Sequence, residues 1–194
     1  MSLIVLIKTK EGYVLSGDSR LSFSCDRSKH TDNTYKVFCY DNRIGIAYHH
    51  FADINGKQLD VILDEFLKAE RKLLPPFDLV CDLREYICKL KCNQNTFFYV
   101  FGYQEDECKK FYFNLAEDNE IYEYKNSRYV TGGQDDVALD IIAKTYNDGL
   151  SIEDAVIYID KIFEETENVD DRVGGEIDLL HISPKFGARW LRRK

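Results

Sequence analysis

The chain has 194 residues, 44% hydrophobic and 13% aromatic, with three Pro and 11 Gly; a chain of this length buries roughly 70% of its unfolded surface as one domain, and the composition argues against disorder. The formal net charge of −8, from 34 acidic and 26 basic residues, speaks against nucleic acid as the main partner. No apolar run approaches membrane-spanning length, no signal-peptide pattern is present, and the six Cys contain no Cys-x-x-Cys pair, which points to free thiols and the cytoplasm.

Residues 3–9 (LIVLIKT) are β-rich, 10–12 (KEG) make a turn, and 13–20 (YVLSGDSR) read as the returning strand of an N-terminal hairpin. Residues 21–34 are polar and read as a loop. The stretches 35–41 and 43–50 form a second hairpin around Asn42. The period then changes. Leu59, Ile62, Leu63, Phe66 and Leu67 recur at helical spacing, and Pro75 and Pro76 end that helix. A second helix follows, with Pro76 in its first turn and Val80, Leu83, Ile87 and Leu90 on one stripe. Cys88 and Cys92 share a face of it, with Cys81 two turns earlier. No further His or Cys stands at ligand spacing, so no metal and no other cofactor is expected.

Strands return at 96–103, 109–116 and 120–125. A third helix follows TGGQ (131–134), carries Val137, Ile141 and Ile142, and stops near Gly149. Ser151 with Asp154 resembles a capping box, opening a fourth helix with Ala155, Ile159, Ile162 and Phe163 on its apolar stripe. A last strand, 176–183, ends before Pro184, and the basic RWLRRK reads as a solvated tail. Each helix pair needs a sheet face to cover. The order therefore predicts an α+β fold: a four-layer αββα sandwich of two packed antiparallel sheets flanked by two helix pairs, in a single domain spanning 1–194.

The stretches SLIVLIK…GYVLSGDSR, YKVF, IGIAYHHFADI, YVTGGQDDVALDII and DDRVGGEIDLLHIS occur in that order along nearly the whole chain. Together they resemble the β-type subunits of the 20S proteasome and their N-terminal nucleophile (Ntn) hydrolase relatives. The resemblance implies the Ntn-hydrolase fold. It puts Ser2 at the family's Thr nucleophile once Met1 is removed, Asp18 and Arg20 at the Asp and Arg of the hairpin motif, and Lys36 at the catalytic Lys. Asp170 matches the Asp that holds the nucleophile's neighbourhood together. A hydroxyl is a poor nucleophile without an adjacent base, and the resemblance implies that the free α-amine, the Lys and the first Asp form a proton-transfer chain. A backbone N–H would stabilise the oxyanion.

Three departures stand out. Gly132, followed by Gly133, replaces the usual Ser of Gly-Ser-Gly; Val173 replaces the Ser of Ser-Gly-Gly; and Tyr48, His49 and His50 occupy the Gly-containing strand end of the oxyanion region. Gly132, Gly133, His50 and Arg20 are read as supporting residues. The implied function is a peptidase that acts on peptide or protein substrates and assembles as a homo-oligomeric ring, with no nucleic-acid or membrane partner. Its activity turns on removal of Met1, because an amide nitrogen is no base. Two alternatives stay open. One is a non-catalytic proteasome-like subunit, favoured by the two missing hydroxyls. The other is a small-molecule amidase in which His49 and His50 shape a closed pocket.

Overall fold

The computed structural model describes residues 2–23, 26–69, 73–91, 94–116 and 120–194. Its elements in chain order are β1 (Leu3–Lys8), β2 (Tyr13–Asp18), β3 (Leu21–Phe23), β4 (Asp26–Thr31), β5 (Val37–Tyr40), β6 (Ile44–His50), β7 (Asp53–Ile54), β8 (Lys57–Gln58), α1 (Leu59–Lys68) and α2 (Pro76–Cys88). They continue with β9 (Thr96–Gln104), β10 (Glu107–Asn114), β11 (Tyr122–Glu123), β12 (Tyr129–Gly133), α3 (Asp136–Thr145), α4 (Ile152–Val169), β13 (Ile177–Ser183) and β14 (Gly187–Arg192). One five-stranded sheet runs β12-β1-β2-β13-β14 and the other β11-β10-β9-β6-β5. All their pairings are antiparallel.

The layers follow from side-chain alternation. In β1, Leu3, Val5 and Ile7 pack with Ile141, Ile142, Ile159 and Phe163 of α3 and α4, while Ile4 and Leu6 pack between the sheets with Val37, Ala47, Tyr99 and Phe101. Leu3 through Ile7 are fully buried, as expected for a strand covered on both faces. On the far side, Leu59, Leu63 and Phe66 of α1 and Leu79, Val80 and Leu83 of α2 cover the second sheet. The αββα sandwich is the architecture expected from the sequence.

Several local expectations need correction. The loop at 21–34 contains the short β3–β4 hairpin. Residues 129–133 form β12, an edge strand on β1, although TGG is a poor strand sequence; the free edge of β1 supplies the pairing. The basic tail is β14, paired with β13. Its charges are taken up locally: Arg192 pairs with Asp160 at 2.7 and 2.8 Å, and Arg193 lies 4.4 Å from the Trp190 ring centre. Helix α2 ends at Cys88 and α3 at Thr145, short of Cys92 and Gly149. Cys39, Cys81, Cys88 and Cys108 are free thiols; Cys25 and Cys92, like Met1, lie outside the described residues. Ser151 caps α4, its Oγ accepting the Asp154 N–H at 3.0 Å. No helix among the described residues is long and apolar enough to cross a membrane.

The registers bring one set of strand ends together. In the first sheet Leu3 faces Gly133, Ile4 faces Gly17 and Ile177 faces Asp18. In the second, His50 faces Thr96 and Val37 faces Ala47. Residues just outside these ends meet at one rim of the sandwich.

Candidate active site

Asp18 ends β2 and Lys36 immediately precedes β5, so each sheet contributes one charge to the rim. Lys36 Nζ donates to Asp18 Oδ1 at 3.0 Å and to the Arg20 carbonyl. The same Asp18 oxygen accepts the Leu3 N–H at 2.9 Å, and Oδ2 accepts N–H groups from Arg20 at 3.3 Å and Gly174 at 3.4 Å. Burial pushes the Asp18 carboxyl up and the Lys36 ammonium down, and each opposes the shift of the other. Gly17 leaves the space: a Cβ there would stand 2.9 Å from both Ile4 Cδ1 and Val37 Cγ2.

Ser2 is 3% exposed and directly precedes the Leu3 N–H that binds Asp18. It continues the alternation of Ile4 and Leu6, on the side between the sheets. Its carbonyl accepts the Gln134 N–H at 2.8 Å. Gly133 lies against that carbonyl at φ +96°, where a Cβ would collide with the oxygen. Both the conformation and the close approach require glycine there.

Arg20 braces the other flank. Its guanidinium reaches Asp32 and Glu167, each at 3.0 Å, and donates to the carbonyls of Asp171 at 3.1 Å and Val173 at 3.0 Å. Its hydrogen bonds, and then its charge, hold the Asp32 carboxyl below the usual range. Val173 itself is fully buried among the α3 and α4 side chains, so the residue read as a lost site hydroxyl serves as core. Asp170 caps the end of α4, and its carboxylate binds the Arg172 side chain and backbone N–H, which hold it below the usual range. The structure thus brings Ser2, Asp18, Lys36, Arg20 and the Gly132–Gly133 end of β12 to one rim, while the Asp170 carboxylate is engaged by Arg172.

A second cluster forms the floor. His49 Nε2 lies 2.8 Å from Tyr99 Oη, and His49 Nδ1 lies 2.6 Å from His50 Nδ1. Phe97 stacks on His49 at 4.8 Å and 11°. A Cβ on Gly132 would come 2.9 Å from His49 Nε2 and nearer still to the Tyr99 hydroxyl. The missing Ser side chain at position 132 is therefore explained: the His49–Tyr99 pair fills that space. Sequence reasoning missed Tyr99. Its alternation in TFFYVFGY marks it as inward-facing but gives no sign of what its hydroxyl meets. Burial, then His50 and Lys36, push His49 down to about 3, so its ring is neutral. Among the described residues no group of three or more His, Cys, Asp or Glu is arranged to hold a metal ion.

Chemically, the rim places a hydroxyl-bearing residue beside a buried ammonium–carboxylate pair, with backbone N–H groups and a neutral imidazole nearby. No family model matches the chain, and no curated protein matches it in sequence. Solved structures match in fold. An Anbu mutant from Hyphomicrobium sp. strain MC1 aligns with a TM-score of 0.77 at 13% identity, covering 100% of this chain and 86% of that one. Anbu from the same strain gives 0.73 at 14% identity, over 99% and 86%. Anbu from Yersinia bercovieri, described as an ancestral β-subunit, gives 0.73 at 12%, over 99% and 88%. The chain therefore has a proteasome-like β-subunit fold.

Proposed function

We propose that this chain is a proteasome-like Ntn peptidase whose nucleophile is the Ser2 hydroxyl, made N-terminal by removal of Met1. The observation that carries the reading is the buried Lys36–Asp18 pair, whose carboxylate also receives the N–H of the residue after Ser2. An α-amine has an ordinary pKa of about 7.7–8.0, and a cation beside it lowers that value. The amine of Ser2 then serves as base. Ser2 Oγ attacks the scissile carbonyl carbon, its proton passes to the amine, and the carbonyl oxygen takes the negative charge. The leaving amine collects the proton as the peptide bond breaks, and water hydrolyses the resulting ester by the same steps. Asp18 keeps Lys36 aimed. The substrate is a peptide or protein, no cofactor takes part, and the working form is a homo-oligomeric ring.

The test is an intact mass of protein made in its own host, followed by labelling with a β-lactone or epoxyketone. The expected result is loss of Met1, one adduct on Ser2, and no adduct in Lys36→Ala. Quantitative retention of Met1, or equal labelling of the variant, overturns the reading.

A second reading, a non-catalytic ring subunit, is favoured by the floor. His49 and Tyr99 fill the space under Gly132, and Ser2 is almost wholly covered. It predicts an assembly by light scattering without peptide hydrolysis.

A further inference from the structure

We propose that the end of the sandwich opposite Asp18 and Lys36 is a binding site for a small organic carboxylate, which Lys110 holds by charge and Lys8 and Tyr103 help to hold, in the cavity they line with Tyr13 and Cys108.

The strand registers build the place. Lys8 ends β1 opposite Tyr13 of β2, and Cys108 of β10 faces Tyr103 of β9. Phe111 and Phe113 of β10 pack on the side of α1 and α2. Lys110 therefore alternates to the space between the sheets, where Cys108, Tyr13 and Tyr103 pack. The cavity measures about 300 Å³, room for a small molecule and too little for a folded partner. Lys110 is 4% exposed. Its Nζ donates to the Cys108 carbonyl at 3.0 Å and stands 4.9 Å from the Tyr13 ring centre. An ammonium carries three donors, and the carbonyl takes one.

Lys36 and Lys110 are both buried lysines at an end of the inter-sheet layer. Lys36 has the Asp18 carboxylate at 3.0 Å, whereas Lys110 has no carboxylate partner among the described residues. A buried charge calls for an opposite one. The acids that line the cavity do not supply it: Glu107 binds Lys109 at 2.7 Å, and Asp106 is exposed on the β9–β10 turn. Arg128, a further lining residue, is taken by Asp148. Lys8, Lys110 and Asp106 are then the lining charges without an ion-pair partner among the described residues, an excess of one positive charge that a monoanion neutralises. Burial, and after it the Lys8 charge, push the Lys110 ammonium down, and a bound carboxylate opposes that shift. Burial also pushes the Tyr13 hydroxyl up to about 12 and raises Tyr103, so both phenols keep their protons. Tyr13 donates its own to the Ser127 carbonyl at 3.2 Å. The Tyr103 proton has no acceptor among the described residues and is the donor left for the ligand, while the two rings give its carbon skeleton an apolar wall.

The experiment is a calorimetric titration of the full chain with benzoate, with benzamide as its uncharged counterpart and with inorganic phosphate, at ionic strength held constant by chloride. Benzoate is expected to fill a single site per chain with a Kd on the order of 1 mM, and benzamide to bind at least about tenfold more weakly. Hydrogen exchange read by mass spectrometry is expected to show protection by benzoate at residues 107–111. Lys110→Met keeps the buried stem and removes the charge; benzoate affinity should fall at least about tenfold. Tyr103→Phe and Lys8→Met, the latter at an exposed position, leave the core intact and should each weaken benzoate by about two- to tenfold. No saturable benzoate binding, equal binding of benzamide, or full affinity in Lys110→Met overturns the site. Should Lys110→Met not fold, full affinity in both Tyr103→Phe and Lys8→Met overturns it as well. Phosphate that binds more tightly than benzoate overturns the carboxylate assignment.

Discussion

Lys36 reaches Asp18 from the edge of the opposite sheet, its Nζ 3.0 Å from Oδ1, with neither side chain more than 1% exposed. Removing one member strands the other charge in a dry site, which typically costs about 3–5 kcal/mol. Asp18→Asn and Lys36→Met are each expected to destabilise by that order. The double variant should lose less than the sum, with a coupling of about 0.5–3 kcal/mol. Urea unfolding of the four proteins checks this. Strict additivity would mean that the two groups do not act as a pair.

Arg20 makes directional bonds that a lysine cannot copy. Its fork serves Asp32, Glu167 and two carbonyls of the 171–173 turn at once. That turn leads to the Gly174 N–H that faces Asp18. Arg20→Lys keeps the charge but is expected to lose about 1.5–3 kcal/mol, close to the loss in Arg20→Ala. Thermal or denaturant unfolding measures it. Full rescue by lysine would reduce the residue to a point charge.

How much of this was legible depends on where the signal was stored. The helices were visible because Leu59, Ile62, Leu63 and Phe66, or Ile159, Ile162 and Phe163, repeat at the period of the face they bury. Ser151 announced its helix because capping is a contact within one turn. The strand at Tyr129–Gly133 was hidden, since its pairing energy comes from β1, more than a hundred residues away. The final strand was masked by its own charges, since the Asp160 that pairs with Arg192 stands 32 residues earlier and the local sequence does not reveal it. Asp18 and Lys36 were recognisable only through the resemblance, because eighteen-residue spacing carries no local period. The Tyr99 hydroxyl and the role of Gly132 needed the packing of two sheets and were not legible at all.

Gly132 supplies a further test of the floor. A Cβ would stand 2.9 Å from two His49 ring atoms and closer to the Tyr99 hydroxyl. Gly132→Ser restores the residue that proteasome-like sequences usually carry, yet here it is expected to destabilise by about 1–3 kcal/mol through overpacking. Tyr99→Phe removes the atom most in the way. The pair Gly132→Ser with Tyr99→Phe should therefore be more stable than the two separate losses predict, by about 0.5–3 kcal/mol. Denaturant unfolding across the double-mutant cycle gives the number, and zero coupling would place the serine elsewhere.

Acid stability carries the electrostatic signature of the same floor. His49 is pushed down to about 3 from an ordinary 6.5, first by burial and then by His50 and Lys36. Between these values the unfolded chain binds a proton that the native ring refuses. The contribution of His49 is therefore intact above pH 6.5 and is lost progressively as pH falls towards 3, at up to about 1.4 kcal/mol per pH unit. His50 and His181 are shifted in the same direction, so they steepen the limb. His49→Gln offers a donor and an acceptor without a titrating ring. The stability lost between pH 6.5 and 4.5 is expected to be smaller in this variant by about 2–3 kcal/mol, measured by urea unfolding at each pH. Parallel acid limbs would mean that the folded protein protonates His49 as readily as the unfolded chain does.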